Sequence, residues 1–124
     1  MIDHVSLGTH GYAEAVLFYC RALAPLGFEL QRDKGDEAAF GTPERWCFFL
    51  YPVPAGEAVA ARGLHVAFAA VSRAQVAAVH AAALAAGAQE LFAPRERPDI
   101  SPTYFGAMFL DADGHRIEVT TNAG

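Results

Sequence analysis

Leu64-His65-Val66-Ala67-Phe68 repeats the pattern of Asp3-His4-Val5-Ser6-Leu7 at an offset of 61 residues, counted from His4 to His65. The residues downstream of each copy repeat as well. After the first comes a helical stretch from about Tyr12 to Ala24 and then Leu26-Gly27-Phe28-Glu29-Leu30. After the second comes a helical stretch from about Ser72 to Ala86 and then Gly87-Ala88-Gln89-Glu90-Leu91. Self-similarity on this scale marks a duplicated unit of secondary structure.

Within each copy the hydrophobic period changes as strand gives way to helix. Val5 and Leu7 alternate with His4 and Ser6, the period of a half-buried strand. Val16, Tyr19, Cys20 and Leu23 then recur at the spacing of one helical face, as do Val76, Val79 and Ala83. Ser72 is placed to cap the second helix, and Gly27 and Gly87 stand where a left-handed residue ends a helix. Further strands are expected at about 37–41, 46–51, 103–110 and 115–121. Pro52 to Arg62 reads as a connector, and Pro94 to Pro102, with three prolines, as a loop.

The expected fold is α+β: two β-α-β-β-β modules in a single domain spanning 1–124. The first module covers about 1–52, the linker 53–62 and the second about 63–124. If Val5, Leu7, Val66, Phe68, Ile117 and Val119 face the helices, strand alternation turns His4, Ser6, His65, Ala67, Arg116, Glu118 and Thr120 to the opposite side. Two imidazoles and a carboxyl group on one side, at repeat-related places, form the donor set of a divalent metal with open coordination positions.

Bulk properties narrow the function. The net charge of −5 and pI near 5.4 leave no surplus of cations to neutralise phosphates, which excludes a nucleic-acid binder. No apolar run approaches the ~20 residues needed to cross a bilayer, and the N-terminus lacks the pattern of a signal peptide. A cytoplasmic protein without membrane partner is expected. Cys20 and Cys47 are expected to be free, buried thiols rather than a disulfide.

Three segments together resemble the vicinal oxygen chelate superfamily of glyoxalases, bleomycin-resistance proteins, fosfomycin-resistance proteins and extradiol dioxygenases. They are Ile2-Asp3-His4-Val5-Ser6-Leu7, Leu64-His65-Val66-Ala67-Phe68 and the run Met108 to Val119, with its Asp111-Ala112-Asp113-Gly114 turn before Glu118. The resemblance implies a half-open barrel around a divalent metal, Fe, Mn, Zn or Ni. It assigns the ligands to His4, His65 and Glu118 and lines the substrate pocket with Phe48, Tyr104, Met108 and Arg116. It also implies a homodimer, in which His4 of one chain could meet His65 and Glu118 of another.

Two departures from the family pattern stand out. Glyoxalase I carries a fourth carboxylate or amide ligand on the fourth strand, and counting along that strand gives Phe48, which cannot bind a metal. Extradiol dioxygenases and fosfomycin-resistance transferases place a tyrosine ten residues before the glutamate, where this chain has Met108; the nearest tyrosine is Tyr104. The expected function is therefore a metal-dependent dioxygenase or lyase acting on a small oxygen-bearing, aromatic or otherwise apolar molecule. The alternative is a metal-free drug- or ligand-binding protein of the bleomycin-resistance type. Asp111 and Asp113 read as turn residues. His10 is placed in the loop before the first helix, His80 beside the second helix's apolar stripe, and His115 at an exposed hairpin end.

Overall fold

The computed structural model describes residues 1–124. The first module runs β1 (Val5–Thr9), α1 (Tyr12–Ala22), a single 3-10 turn (Ala24–Leu26), β2 (Glu29–Asp33), β3 (Ala38–Thr42) and β4 (Arg45–Pro52). The second runs β5 (His65–Ala69), α2 (Arg73–Ala85), β6 (Gln89–Glu96), β7 (Phe105–Leu110) and β8 (Arg116–Thr121). Each module folds its last three strands as an antiparallel meander and lays its first strand parallel to its last. The strand orders are β1-β4-β3-β2 and β5-β8-β7-β6. Both sheets are open, with β1 and β5 as free edges and no closed barrel.

The helices form where the sequence periodicity places them. Ser72 Oγ accepts from the Gln75 amide at 3.1 Å and caps α2, and Gly87 follows that helix with φ of 106°. Gly27 ends the 3-10 turn with φ of 79°. Val16, Tyr19 and Ala22 of α1 and Val76, Val79 and Ala83 of α2 are buried. Together with Leu7, Phe40, Phe48 and Leu50 of the first sheet and Phe68, Phe109, Ile117 and Val119 of the second, they make one core. Phe48 packs on Tyr19 at 4.7 Å and on Phe68 at 5.3 Å between ring centroids, joining the two modules directly. Burying one such ring contributes about 1.5–3 kcal/mol.

Two irregularities matter for the site. The β3–β4 register shifts between Phe40 and Gly41, with Gly41 opposite Trp46 and Phe40 opposite Phe48, so Cys47 is an extra residue in β4. A bulge of this kind reverses the in–out alternation on one strand. On the other sheet, β6 continues to Glu96, through Pro94, which the sequence places in a loop. β6 is an edge strand and its register shifts between Phe92 and Arg95. There a proline withholds no amide that a neighbour needs.

Candidate functional site

The face of the second sheet away from the core is laid out in rows by its hydrogen-bond register. Gln89, Leu110, Arg116 and His65 share one row. Phe92, Met108, Glu118 and Ala67 share the next, and Arg95, Gly106, Thr120 and Ala69 the third. Strand alternation thus brings His65, Arg116, Glu118 and Met108 to one face, as the sequence pattern requires.

Glu118 is the one acid of this face that is buried, at 4% exposure. Its Oε1 lies 3.2 Å from His65 Nε2, and its Oε2 accepts a 2.6 Å hydrogen bond from the Tyr104 hydroxyl. Burial and the bond to Glu118 push the Tyr104 phenol above its ordinary range. A divalent ion bound at about 2.1 Å by one nitrogen and one oxygen separates its donors by roughly 3.0–3.4 Å, depending on the angle. The 3.2 Å spacing of His65 and Glu118 fits such an ion.

His4 lies outside this pair. It is exposed, its Nδ1 is 2.8 Å from Asp3 Oδ2, and its ring stands edge-on to Phe49 at 5.2 Å. That bond holds the Asp3 carboxyl below its usual range. Within one chain, His4, His65 and Glu118 do not gather into a three-donor cluster. His4 and His65 do border the same groove of about 570 Å³, which opens between β1 and β5 over Phe28, Phe48 and Phe68.

Of the four pocket residues expected from the sequence, Tyr104, Met108 and Arg116 surround the His65–Glu118 pair. Phe48 does not. It is fully buried in the core on the helical side of β4, reaching the groove only from beneath. The residue of β4 beside His4 on the open face is Phe49, which pairs with Ser6. The Cys47 bulge lies just before this pair of residues. Phe49 is no better a ligand than Phe48, so β4 offers no fourth carboxyl or amide donor on either count.

One three-donor cluster does exist in the chain, a possible metal site at Asp111, Asp113 and His115 in the β7–β8 turn. Several of its donor atoms are already engaged, while Asp113 Oδ2 and His115 Nδ1 are not. Asp111 Oδ1 accepts from the amides of Asp113 and His115 at 3.0 and 2.9 Å, and Oδ2 from the buried Tyr19 hydroxyl at 2.5 Å. Asp113 Oδ1 accepts from the His10 amide at 2.9 Å. His115 Nε2 donates to the Gly8 carbonyl at 2.8 Å. His115 is therefore 4% exposed rather than at a solvent-exposed hairpin end; a partner 107 positions away in sequence leaves no local trace. These bonds tie the turn to α1 and β1.

The remaining candidates are structural. His80 is buried and 2.7 Å from Glu90, and His10 Nε2 donates to the Glu57 carbonyl at 2.7 Å. Cys20 and Cys47 are free but half-buried rather than buried, and the burial they have pushes both thiols up, away from nucleophilic use.

Two open sheets of four mixed strands, paired by an internal repeat and carrying polar donors on the side opposite the helices, define a βαβββ repeat protein. The chain belongs to the Glyoxalase/Bleomycin resistance protein/Dioxygenase superfamily, which it matches over residues 1–119. Its structure is similar to that of a glyoxalase/bleomycin resistance protein from Albidiferax ferrireducens, with 26% identity, 98% of each chain covered and a TM-score of 0.84. A glyoxalase-related enzyme from Fulvimarina pelagi shares the fold at 16% identity and a TM-score of 0.75, covering 98% of this chain and 87% of that one. So does a mutant of the fosfomycin resistance protein FosX from Listeria monocytogenes, solved with Mn(II) and dihydroxypropylphosphonic acid. It has 18% identity and a TM-score of 0.67, with 96% of this chain and 87% of that one covered. No curated protein matches the sequence. No helix is long and apolar enough to cross a membrane.

Proposed function

We propose that the protein is a divalent-metal-dependent enzyme, a dioxygenase or lyase, acting on a small oxygen-bearing, aromatic or otherwise apolar substrate. The observation that carries this reading is the His65–Glu118 pair, set at the donor spacing of a metal ligand edge on the open face of the second sheet. His65 and Glu118 would hold the ion with His4 as third ligand, and two nitrogens and one oxygen suit Fe, Mn, Zn or Ni. When bound, the ion would supply Lewis-acid polarisation of a substrate oxygen or a site for oxygen chemistry. Met108 and Phe92 provide an apolar wall beside Glu118, and Arg116, one row from it, a cation for a negatively charged substrate group.

We also infer a cytoplasmic protein, and a homodimer because His4 stands apart from His65 and Glu118 within one chain. In that arrangement His4 of one protomer joins His65 and Glu118 of its partner. Subunit mixing tests this without a known substrate. His4→Ala and Glu118→Ala chains each lack one donor at every site. If sites form between chains, one of the two sites in each mixed dimer regains all three wild-type donors. Metal content after mixing should then rise to one ion per mixed dimer when Mn²⁺ is offered and the protein desalted. Mixed chains that retain no more Mn²⁺ than either parent, alongside a wild type that binds it, refute completion between chains. A wild type that retains no transition metal after reconstitution refutes the enzyme reading.

The groove over Phe28, Phe48 and Phe68 supports a second reading, a metal-free binder of apolar small molecules. It predicts that His65→Ala, at the rim of the groove, leaves the affinity for such a ligand nearly intact.

A further inference from the structure

We propose that Tyr104 is a positioning residue that restricts Glu118 to a single donor oxygen; this rests on the metal reading above. A carboxyl group with both oxygens free can take two places on a cation. Glu118 does not have both free. Tyr104, just before β7, donates its hydroxyl proton to Oε2 at 2.6 Å, which leaves Oε1 facing His65 Nε2 at 3.2 Å.

The path between the two residues is kept clear by Gly106. A methyl group there would lie 3.1 Å from Glu118 Oε2 and 3.1 Å from the Val119 carbonyl. Gly106 is buried on β7 and its φ is not in the left-handed region, so no backbone requirement calls for glycine. The close approach of the carboxyl group and of the Val119 carbonyl leaves little room for a side chain there. Met108, directly across from Glu118 in the β7–β8 register, offers no competing donor. The hydroxyl of Tyr104 is thus the hydrogen-bond donor that holds Oε2. An ion held there would take one oxygen from Glu118, which would leave room for a substrate that chelates through two oxygens.

The test is cobalt spectroscopy of full-length wild type and Tyr104→Phe, with acetohydroxamate as a two-oxygen probe. The substitution removes one oxygen from a half-buried ring, and far-UV circular dichroism controls for folding. Without the hydroxyl, Glu118 gains a second contact and the Co²⁺ coordination number rises. The visible bands should then weaken by about two-fold or more, because their intensity follows coordination geometry. Acetohydroxamate should bind about ten-fold more weakly, the scale on which partners of a metal ligand act. If Tyr104→Phe shows the wild-type spectrum and acetohydroxamate affinity, the positioning role is overturned while the metal reading stands. If wild type takes up no Co²⁺, the metal reading is overturned and this inference with it.

Discussion

Replacing Tyr19 by Phe removes a single oxygen from the centre of the molecule, and the effect should depend on pH in a defined direction. Tyr19 is 1% exposed and donates to Asp111 Oδ2 at 2.5 Å, joining α1 to the β7–β8 turn. Losing a buried hydrogen bond to a carboxyl group destabilises a protein by about 1.5–3 kcal/mol. For 124 residues, an unfolding entropy of about 0.26 kcal/mol per degree converts this to a Tm lower by roughly 6–12 °C. Burial and the neighbouring Asp111 push the folded phenol well above its ordinary value. In the unfolded chain the phenol loses its proton near pH 10. Above that pH the native state alone keeps the proton, so wild-type stability falls with rising pH, by about 1.4 kcal/mol per unit from this group. Phenylalanine has no proton to lose. The gap between wild type and Tyr19→Phe should be full below pH 10 and narrow above it. Urea unfolding followed by circular dichroism at pH 8, 9, 10 and 11 measures the gap, and the other tyrosines cancel because both proteins carry them. A gap that stays constant from pH 9 to 11, or no destabilisation at pH 8, would overturn this account of the Tyr19–Asp111 bond.

Phe48→Ala should lower stability by about 3–5 kcal/mol, read from thermal unfolding, since it empties the junction between Tyr19, Phe40 and Phe68; a loss below about 1 kcal/mol would mean the modules do not share that core. Gly41→Ala should be at least as damaging as a typical core truncation, more than about 3 kcal/mol. The position has φ of 148° and the added methyl would press into the Arg45 carbonyl; soluble expression with wild-type urea midpoint would contradict this.

Much of the architecture was legible because each element announces itself locally. Ser72 and Gly87 bracket α2 with their own chemistry, and the repeat around His4 and His65 exposes the duplication without any knowledge of contacts. Alternation along β8 places Glu118 and Arg116 on the open face, since nothing interrupts that strand between them. Counting to the family's ligand position on β4 gives Phe48, which lies in the core, while Phe49 stands beside His4 beyond the Cys47 bulge. Pro94 misled because proline argues against a strand only where the neighbour needs its amide. His115 and Tyr104 owe their roles to partners far along the chain or across a glycine, and no periodicity encodes such meetings. All four tyrosines donate to an acidic side chain: Tyr12 to Asp33, Tyr19 to Asp111, Tyr51 to Glu37 and Tyr104 to Glu118. That regularity too emerges only from tertiary structure.

Both helices and the aromatic cluster lie on one side of each sheet, so the two sides answer to different demands. A substitution at Ala67, Ala69 or Ser6 meets solvent and leaves the interior packing untouched. New specificities can accumulate there one side chain at a time while the scaffold persists. A lineage built on this plan would be expected to diversify its chemistry far faster than its shape.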